Sequence, residues 1–322
     1  MLILRRSHVG WIAVALLASA WPVRAADVDP YLPDDTEVVL TVNTKQLLDS
    51  PLVKKHFEQQ LRELLKSNDE ISSVFTTLGF DPFKDLASIT GAMSMVGNDA
   101  KGLLIAHGQF DKAKFEAKAE EVAKSMGDVL KIHKEGERKV YEVKHDPAEK
   151  PHFVGLVDAS TIVASTEKPY VLDALAKSNS KKSTAPKKAI QELIEKVDGK
   201  QSVWFAATAQ AFLKGDLSGD ERAKKNLEKI NNLSAGVTVN TGVKVGLTIA
   251  TKTPANAKEL ADEIKEGLSQ VKGLLALMAD QDKRLAPLVD VITNLRTNTD
   301  GNTIAVQGDV SAEVIEKALK KN

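Results

Sequence analysis

Ser165-Thr166-Glu167-Lys168 sets a hydroxyl and an amine three residues apart at an expected helix start. In that S-x-x-K spacing a lysine can take the serine proton for acyl transfer. Lys252-Thr253 follows an expected strand, as a second element of such a site would. Yet Pro254 stands where that element needs glycine, and no S-D-N sequence occurs. Helix capping explains the same residues: Ser165 or Thr166 as N-cap, with Glu167 in the first turn. A serine hydrolase at Ser165 and Lys168 is therefore a subordinate reading.

Histidines are the other source of chemistry. His145, Asp146 and His152 could approach one another across Pro147–Pro151 and offer three ligands of suitable type, though their spacing matches no metal signature. If a hairpin turns at Gly136-Glu137, His133 pairs with Val140. His145 then lies roughly 17 Å further along, at about 3.3 Å per residue, too far to share an ion. His107 alternates with Leu103 and Ile105 and is expected to face their side, partly buried and hydrogen-bonded. His56 is expected to be solvated on a charged helix.

Other motifs carry less. No G-x-S-x-G, H-E-x-x-H, Walker A or G-x-G-x-x-G sequence is present. Asp216–Asp220 lacks the alternating ligands and closing Glu of a calcium loop. Glu120-Glu121 reads as a solvated helix face among lysines. With no cysteine, thiolate metal sites, disulfides and a Cys nucleophile are excluded. Forty-four basic residues balance 44 acidic ones and aromatics are only 5%, which argues against nucleic acid as a partner. Neither cofactor nor metal nor catalytic residue is assigned from these patterns.

The elements that would position such groups follow from hydrophobic period and turn chemistry. Glu37–Asn43 reads as a buried strand. Ser50-Pro51 is a helix start, with Leu52, Phe57, Leu61, Leu64 and Leu65 at helical spacing behind it. A second helix is expected from Asp69 through Leu78. Hairpins are expected over Ile89–Val96 with Lys101–Gln109, Val129–Lys134 with Lys139–Lys144, and Phe153–Val157 with Thr161–Ser165. Asp111 should cap a helix ending near Met126, and Glu167–Ala176 another. The helix beginning at Ala255 carries Leu260, Ile264, Leu268 and Val271 on one face and becomes broadly apolar at Leu274–Met278. Asp300-Gly301 is a hairpin turn.

The N-terminus reads as an export signal: Arg5 and Arg6, the apolar run Val9–Trp21, then Pro22 and Val23-Arg24-Ala25. A membrane-spanning helix needs about 20 residues, and this run is shorter. Cleavage is expected after Ala25, with Ala26 as the alternative exit. That leaves a mildly acidic mature chain with no stable membrane anchor, periplasmic or extracellular. Arg5-Arg6 matches the twin-arginine pattern poorly.

The second half repeats the first. Val38–Thr44 lies over Val203–Ala209, Gly102–Ala106 over Gly246–Ala250, and Thr161–Val163 over Thr303–Ala305. The offsets fall along the chain, so the second copy is the more compact. The expected fold class is α+β: antiparallel sheets with helices packed on one face, in two similar hairpin–helix halves. The organisation is a signal peptide over 1–26, a first half over 27–178, a basic linker over 179–188 and a second half over 189–322.

Tyr31–Thr36, the strand behind it, Asp49–Lys54 and Phe80–Leu86 together resemble a family of uncharacterised exported bacterial proteins, planctomycete-type, without known activity. The resemblance covers mainly residues 30–110. It implies export and an α+β build, and brings no catalytic residues. The leading expectation is a soluble exported non-catalytic protein that binds an unidentified protein or ligand. A carrier of an apolar ligand or lipid, in a cavity lined by Met93, Met95 and Leu104, stands second. A serine- or metal-dependent hydrolase stands third.

Overall fold

The alternation in β1 (Val38–Val42) decides how the sheet is clothed. Val39 and Thr41 turn to one side of the sheet, Val38, Leu40 and Val42 to the other. The computed structural model describes residues 25–67, 80–96, 99–144, 150–178, 185–214, 221–281 and 286–319. Twelve strands join in one antiparallel sheet, and twelve helices lie among the described residues, so the class is α+β.

In the first half, α1 (Thr44–Asp49), α2 (Pro51–His56), α3 (Glu58–Ser67) and α4 (Pro82–Asp85) separate β1 from the β2–β3 hairpin (Leu86–Val96, Asp99–Gly108). Ser50 caps α2 by accepting from the Val53 amide, with Pro51 at the first helical position. The apolar spacing over Leu52–Leu65 suggested one helix; the chain breaks at Phe57, which closes α2 and admits α3. Asp111 then caps α5 (Lys112–Ser125) through the Lys114 amide. The hairpin β4–β5 (Leu130–Glu135, Arg138–Val143) turns at Gly136, whose φ of +65° favours glycine. The hairpin β6–β7 (His152–Asp158, Thr161–Ser165) leads into α6 (Lys168–Lys177).

After α7 (Lys188–Ile194), the second half runs β8 (Val203–Thr208), α8 (Ala209–Lys214), α9 (Glu221–Glu228), β9 (Ile230–Val239), β10 (Val243–Thr251), α10 (Pro254–Gln281), α11 (Ala286–Thr293), β11 (Arg296–Asp300), β12 (Thr303–Val310) and α12 (Ala312–Leu319). The sheet order is β11-β12-β10-β9-β8-β1-β2-β3-β7-β6-β5-β4. Read outward from the β1–β8 pair, the order repeats: β1-β2-β3-β7-β6 on one side, β8-β9-β10-β12-β11 on the other. The extra length of the first copy lies between β1 and β2. Between β3 and β6 the first half has α5 and the β4–β5 hairpin; between β10 and β11 the second has the helical pair α10–α11.

The largest core lies on the Val39 side. There α6 and α7 bring Val171, Ala174, Leu175, Ile190 and Ile194 onto Ile105, Val163, Trp204 and Ala206. Gly155 lets α6 come close, since a Cβ there would stand 2.9 Å from the Val171 side chain. On the Leu40 side, α5 sets Phe115 edge-on to Tyr141 at 5.1 Å, and burial raises the Tyr141 hydroxyl to about 12. Also on that side, α8 packs Ala211 on Val38 and Ala207, and α10 packs Leu260, Ala261 and Ile264 on Leu247, Ile249 and Ile304. Burying such aliphatic side chains is worth about 1.5–3 kcal/mol each, which is how a chain without disulfides can hold this sheet. The Val39 side of β9, β10 and β12 instead presents Thr238, Lys244 and Gln307 around an open depression.

Candidate functional site: a cavity of mixed lining at the centre of the sheet

A cavity of about 410 Å³ opens on the Val39 side where the two halves meet. Its floor is Thr41 of β1, Thr90 of β2, His107 of β3 and Trp204 of β8; residues 25–30 and the turn at Gly199-Lys200 form its walls. Volumes of several hundred Å³ with a few converging polar groups are typical of small-molecule sites.

The polar groups are fixed by neighbours. Thr41 and Thr90 stand opposite each other in the β1–β2 register, and their hydroxyls share one hydrogen bond of 2.9 Å. Only one proton serves that bond, so the second hydroxyl keeps a donor. Asn43 donates its side-chain amide to the carbonyls of Gly199 and Gln201, leaving its carbonyl oxygen as acceptor. Trp204, opposite Thr41 in the β1–β8 register, is 6% exposed and lines the same cavity.

His107 sits at the cavity edge. Its Nε2 is 2.7 Å from Asp29 Oδ2 and its Nδ1 is 3.2 Å from Thr161 Oγ1. The hydrogen bond to Asp29 raises the imidazole pKa against the opposing effect of burial, and the charges of Asp29 and Asp158 add to the rise. Asp158, in turn, is pushed up by burial but pulled lower overall by hydrogen bonds from Ser160 and Thr161. The connectivity Asp29–His107–Thr161 is that of a carboxylate–imidazole–hydroxyl relay. Thr161 is 2% exposed, however, and its hydroxyl serves the β6–β7 turn, so no substrate carbonyl can reach it. What the trio does is clasp the segment before β1 to the far end of β3.

The sequence placed His107 on the Leu103 and Ile105 side and partly buried, and there it is. Its partner Asp29 is not legible in the sequence, because the two are joined only in the folded chain. A turn-forming Asp29 two residues before Tyr31, whose amide it accepts, was the available sign.

The other candidates have separate partners. Ser165 Oγ donates to the Gly102 carbonyl and accepts from the Glu167 amide, while Lys168 pairs with Glu135 at 2.9 Å. Glu167 takes the N-cap position of α6 itself. His133 does pair with Val140, and its Nε2 meets Glu142 at 2.6 Å. His152 opens β6; His145 and Asp146 lie outside the described residues. Among the described residues no group of three or more metal-ligating side chains converges. Glu120 pairs with Lys139 and Glu121 with Lys118. His56 departs from expectation: it is half-buried beside Phe57 and 3.8 Å from Glu316, because α12 packs there. Asp216–Asp220, the helix expected after Asp69, residues 1–24 and linker residues 179–184 lie outside the described residues. Lys187 and Lys188, at the end of that linker, begin α7, as its N-cap and first residue, and stand near Glu37 and Glu192 respectively.

Met93 and Leu104 are on the opposite side of the sheet from the cavity. With Leu40 they are 39–46% exposed, an open apolar strip instead of an enclosed volume. Gly91, between Leu40 and Leu104 in register, leaves the strip flat-floored.

No family model matches the sequence, and no curated protein matches it. Three solved structures are similar to it over 92% of the chain: crystal forms I, III and IV of TP0453, at 14%, 11% and 12% identity and TM-scores of 0.47, 0.48 and 0.45. The match covers 98%, 99% and 97% of those chains. No residue role passes from them to this protein. No described helix is long and apolar enough to cross a membrane.

Proposed function

We propose that this protein is an exported, non-catalytic binding protein that holds a small ligand in the central cavity. The observation that carries the reading is the convergence of Thr41, Thr90, Asn43 and Trp204 on one volume of about 410 Å³. A core built for stability alone would fill it with aliphatic side chains. The ligand class follows from the lining. Donor and acceptor groups lie beside an indole and aliphatic walls, and Asp27 and Asp29 oppose Lys200 and His107. That suits a neutral molecule with hydroxyl or amide groups and one apolar edge. Export rests on the Arg5-Arg6 leader and on the resemblance to exported planctomycete-type proteins.

The test uses an accident of composition. Of the three tryptophans, Trp11 and Trp21 belong to the leader, so Trp204 is the sole tryptophan of the mature chain. Protein recovered from its export compartment should show, by native mass spectrometry, a small molecule whose removal changes Trp204 fluorescence. Ser88→Phe, which fills the cavity from β2, should abolish both signals while the folded chain persists. A bare mass for the freshly isolated natural protein sinks the reading.

A further inference from the structure

We infer that the leader is removed between Ala25 and Ala26, not after Ala26, and that the amino terminus so made is a structural part of the cavity. This rests on the export reading above. The sequence puts cleavage after Ala25 and keeps Ala26 as the alternative exit, because both residues are small. The fold separates them. Ala26 is 5% exposed, its methyl belongs to the central core, and its N–H donates to the Val197 carbonyl at 2.9 Å. Ala25 forms a lone antiparallel bridge with Asp198. The chain passes Gly199 so closely that a Cβ there would stand 3.0 Å from the Ala26 Cα and 3.3 Å from the Ala25 carbonyl oxygen. Cleavage after Ala26 would withdraw that plug from between Val197 and the cavity.

The step is hydrolysis of one peptide bond by a leader peptidase that selects small residues, here Val23 and Ala25. Water adds across the Ala25–Ala26 bond; Ala25 departs with a carboxylate, and the Ala26 nitrogen becomes an ammonium. One of its protons can keep the Val197 carbonyl. In the folded chain this bond is held against the Gly199 backbone and cannot extend into a protease cleft. Processing therefore comes first, and docking of residues 26–32 follows, sealing one wall of the cavity.

The full chain should be produced in a bacterial host with a general secretory pathway, and the exported product read by intact mass and N-terminal sequencing. The expected first residue is Ala26. A product beginning at Asp27 or elsewhere leaves export standing and overturns this inference; a chain that keeps its leader overturns the export reading on which it depends. Chains made to begin at Ala26 and at Asp27, without a leader, test the structural role. The shorter one should melt several degrees lower and its Trp204 should be quenched by acrylamide about twofold faster, as expected for a lost core group in a domain of this size. If the Asp27 chain does not fold, Ala26→Gly in the longer chain keeps the N–H and removes only the methyl; it should show a smaller shift in the same direction. Equal melting and quenching across these chains overturns the role.

Discussion

Leu40 stands directly opposite Phe205 in the β1–β8 ladder, and the internal repeat superposes the same two residues. A residue facing its own equivalent across an antiparallel pair fixes a local two-fold axis between them, perpendicular to the sheet. The neighbours obey it: Val38 faces Ala207 and Val42 faces Val203, each pair exchanged by the rotation. The halves are thus continuous through one seam, and Val39, Trp204 and Ala206 close it on the core side.

That seam predicts one cooperative unfolding event. Urea transitions followed by Trp204 fluorescence and by far-ultraviolet circular dichroism should coincide. Trp204→Ala should lower stability by about 3–5 kcal/mol, the usual cost of deleting a large buried aromatic. Two separated transitions in the natural protein would show that the halves unfold independently.

Glu37 is a second tie across the seam. Its carboxylate is buried, bonded to Lys214 of α8, with Lys187 at 3.7 Å and the Met95 amide at 3.4 Å. Removing Lys214 leaves that charge with one more distant cation, Lys187, and the long hydrogen bond from the Met95 amide. Lys214→Met should cost about 1–2 kcal/mol, and Lys187→Met together with Lys214→Met about 3–5 kcal/mol, since an unpaired buried charge is the expensive outcome. A double-mutant cycle in urea measures the excess.

His107 predicts a dependence on pH. Its folded pKa is raised, chiefly by the hydrogen bond to Asp29. The protonated form therefore favours the folded state. That contribution is complete below the unfolded value of about 6.5 and disappears as pH climbs through the raised folded value. The groups facing the ring are Asp29, Asp158 and Tyr31. Between pH 5.5 and 8.5 the urea midpoint of the natural protein should fall relative to that of His107→Gln. Parallel curves for the two would remove the clasp from the account.

Gly155 sets the depth of α6. A Cβ there meets Val171 at 2.9 Å and Leu175 at 3.1 Å, both within a packed core. Gly155→Val should cost about 1–3 kcal/mol through overpacking. Gly246, with open space around the same position, should accept alanine with a far smaller change.

Local chemistry made most of this architecture readable. Asp111 before α5, Gly136 and Gly301 in their turns, and Ser50-Pro51 before α2 are signals that act within a few residues. The β1/β8 and β7/β12 equivalences were visible because apolar alternation repeats along with them. What could not be read lies in long-range pairing. The register of β10 on β9 shifts the Gly102–Ala106 match by one residue from the motif alignment, so that Leu247 matches Leu104 and the two similar motifs turn opposite faces to the core. The cavity depends on Asp29 meeting His107 and on Asn43 reaching Gly199. Each joins residues far apart in sequence, each ordinary by itself.

The β1–β8 seam also bears on origins. Because each strand there faces its own counterpart, a solitary half would present an unpaired strand complementary to the same strand of another molecule. Two free copies could have assembled as a symmetric dimer before any fusion. Joined in one polypeptide, the partners meet at the high effective concentration set by the connecting segment, whatever the concentration of the protein. The N-terminal strap, and the cavity it walls with residues of both halves, break that symmetry.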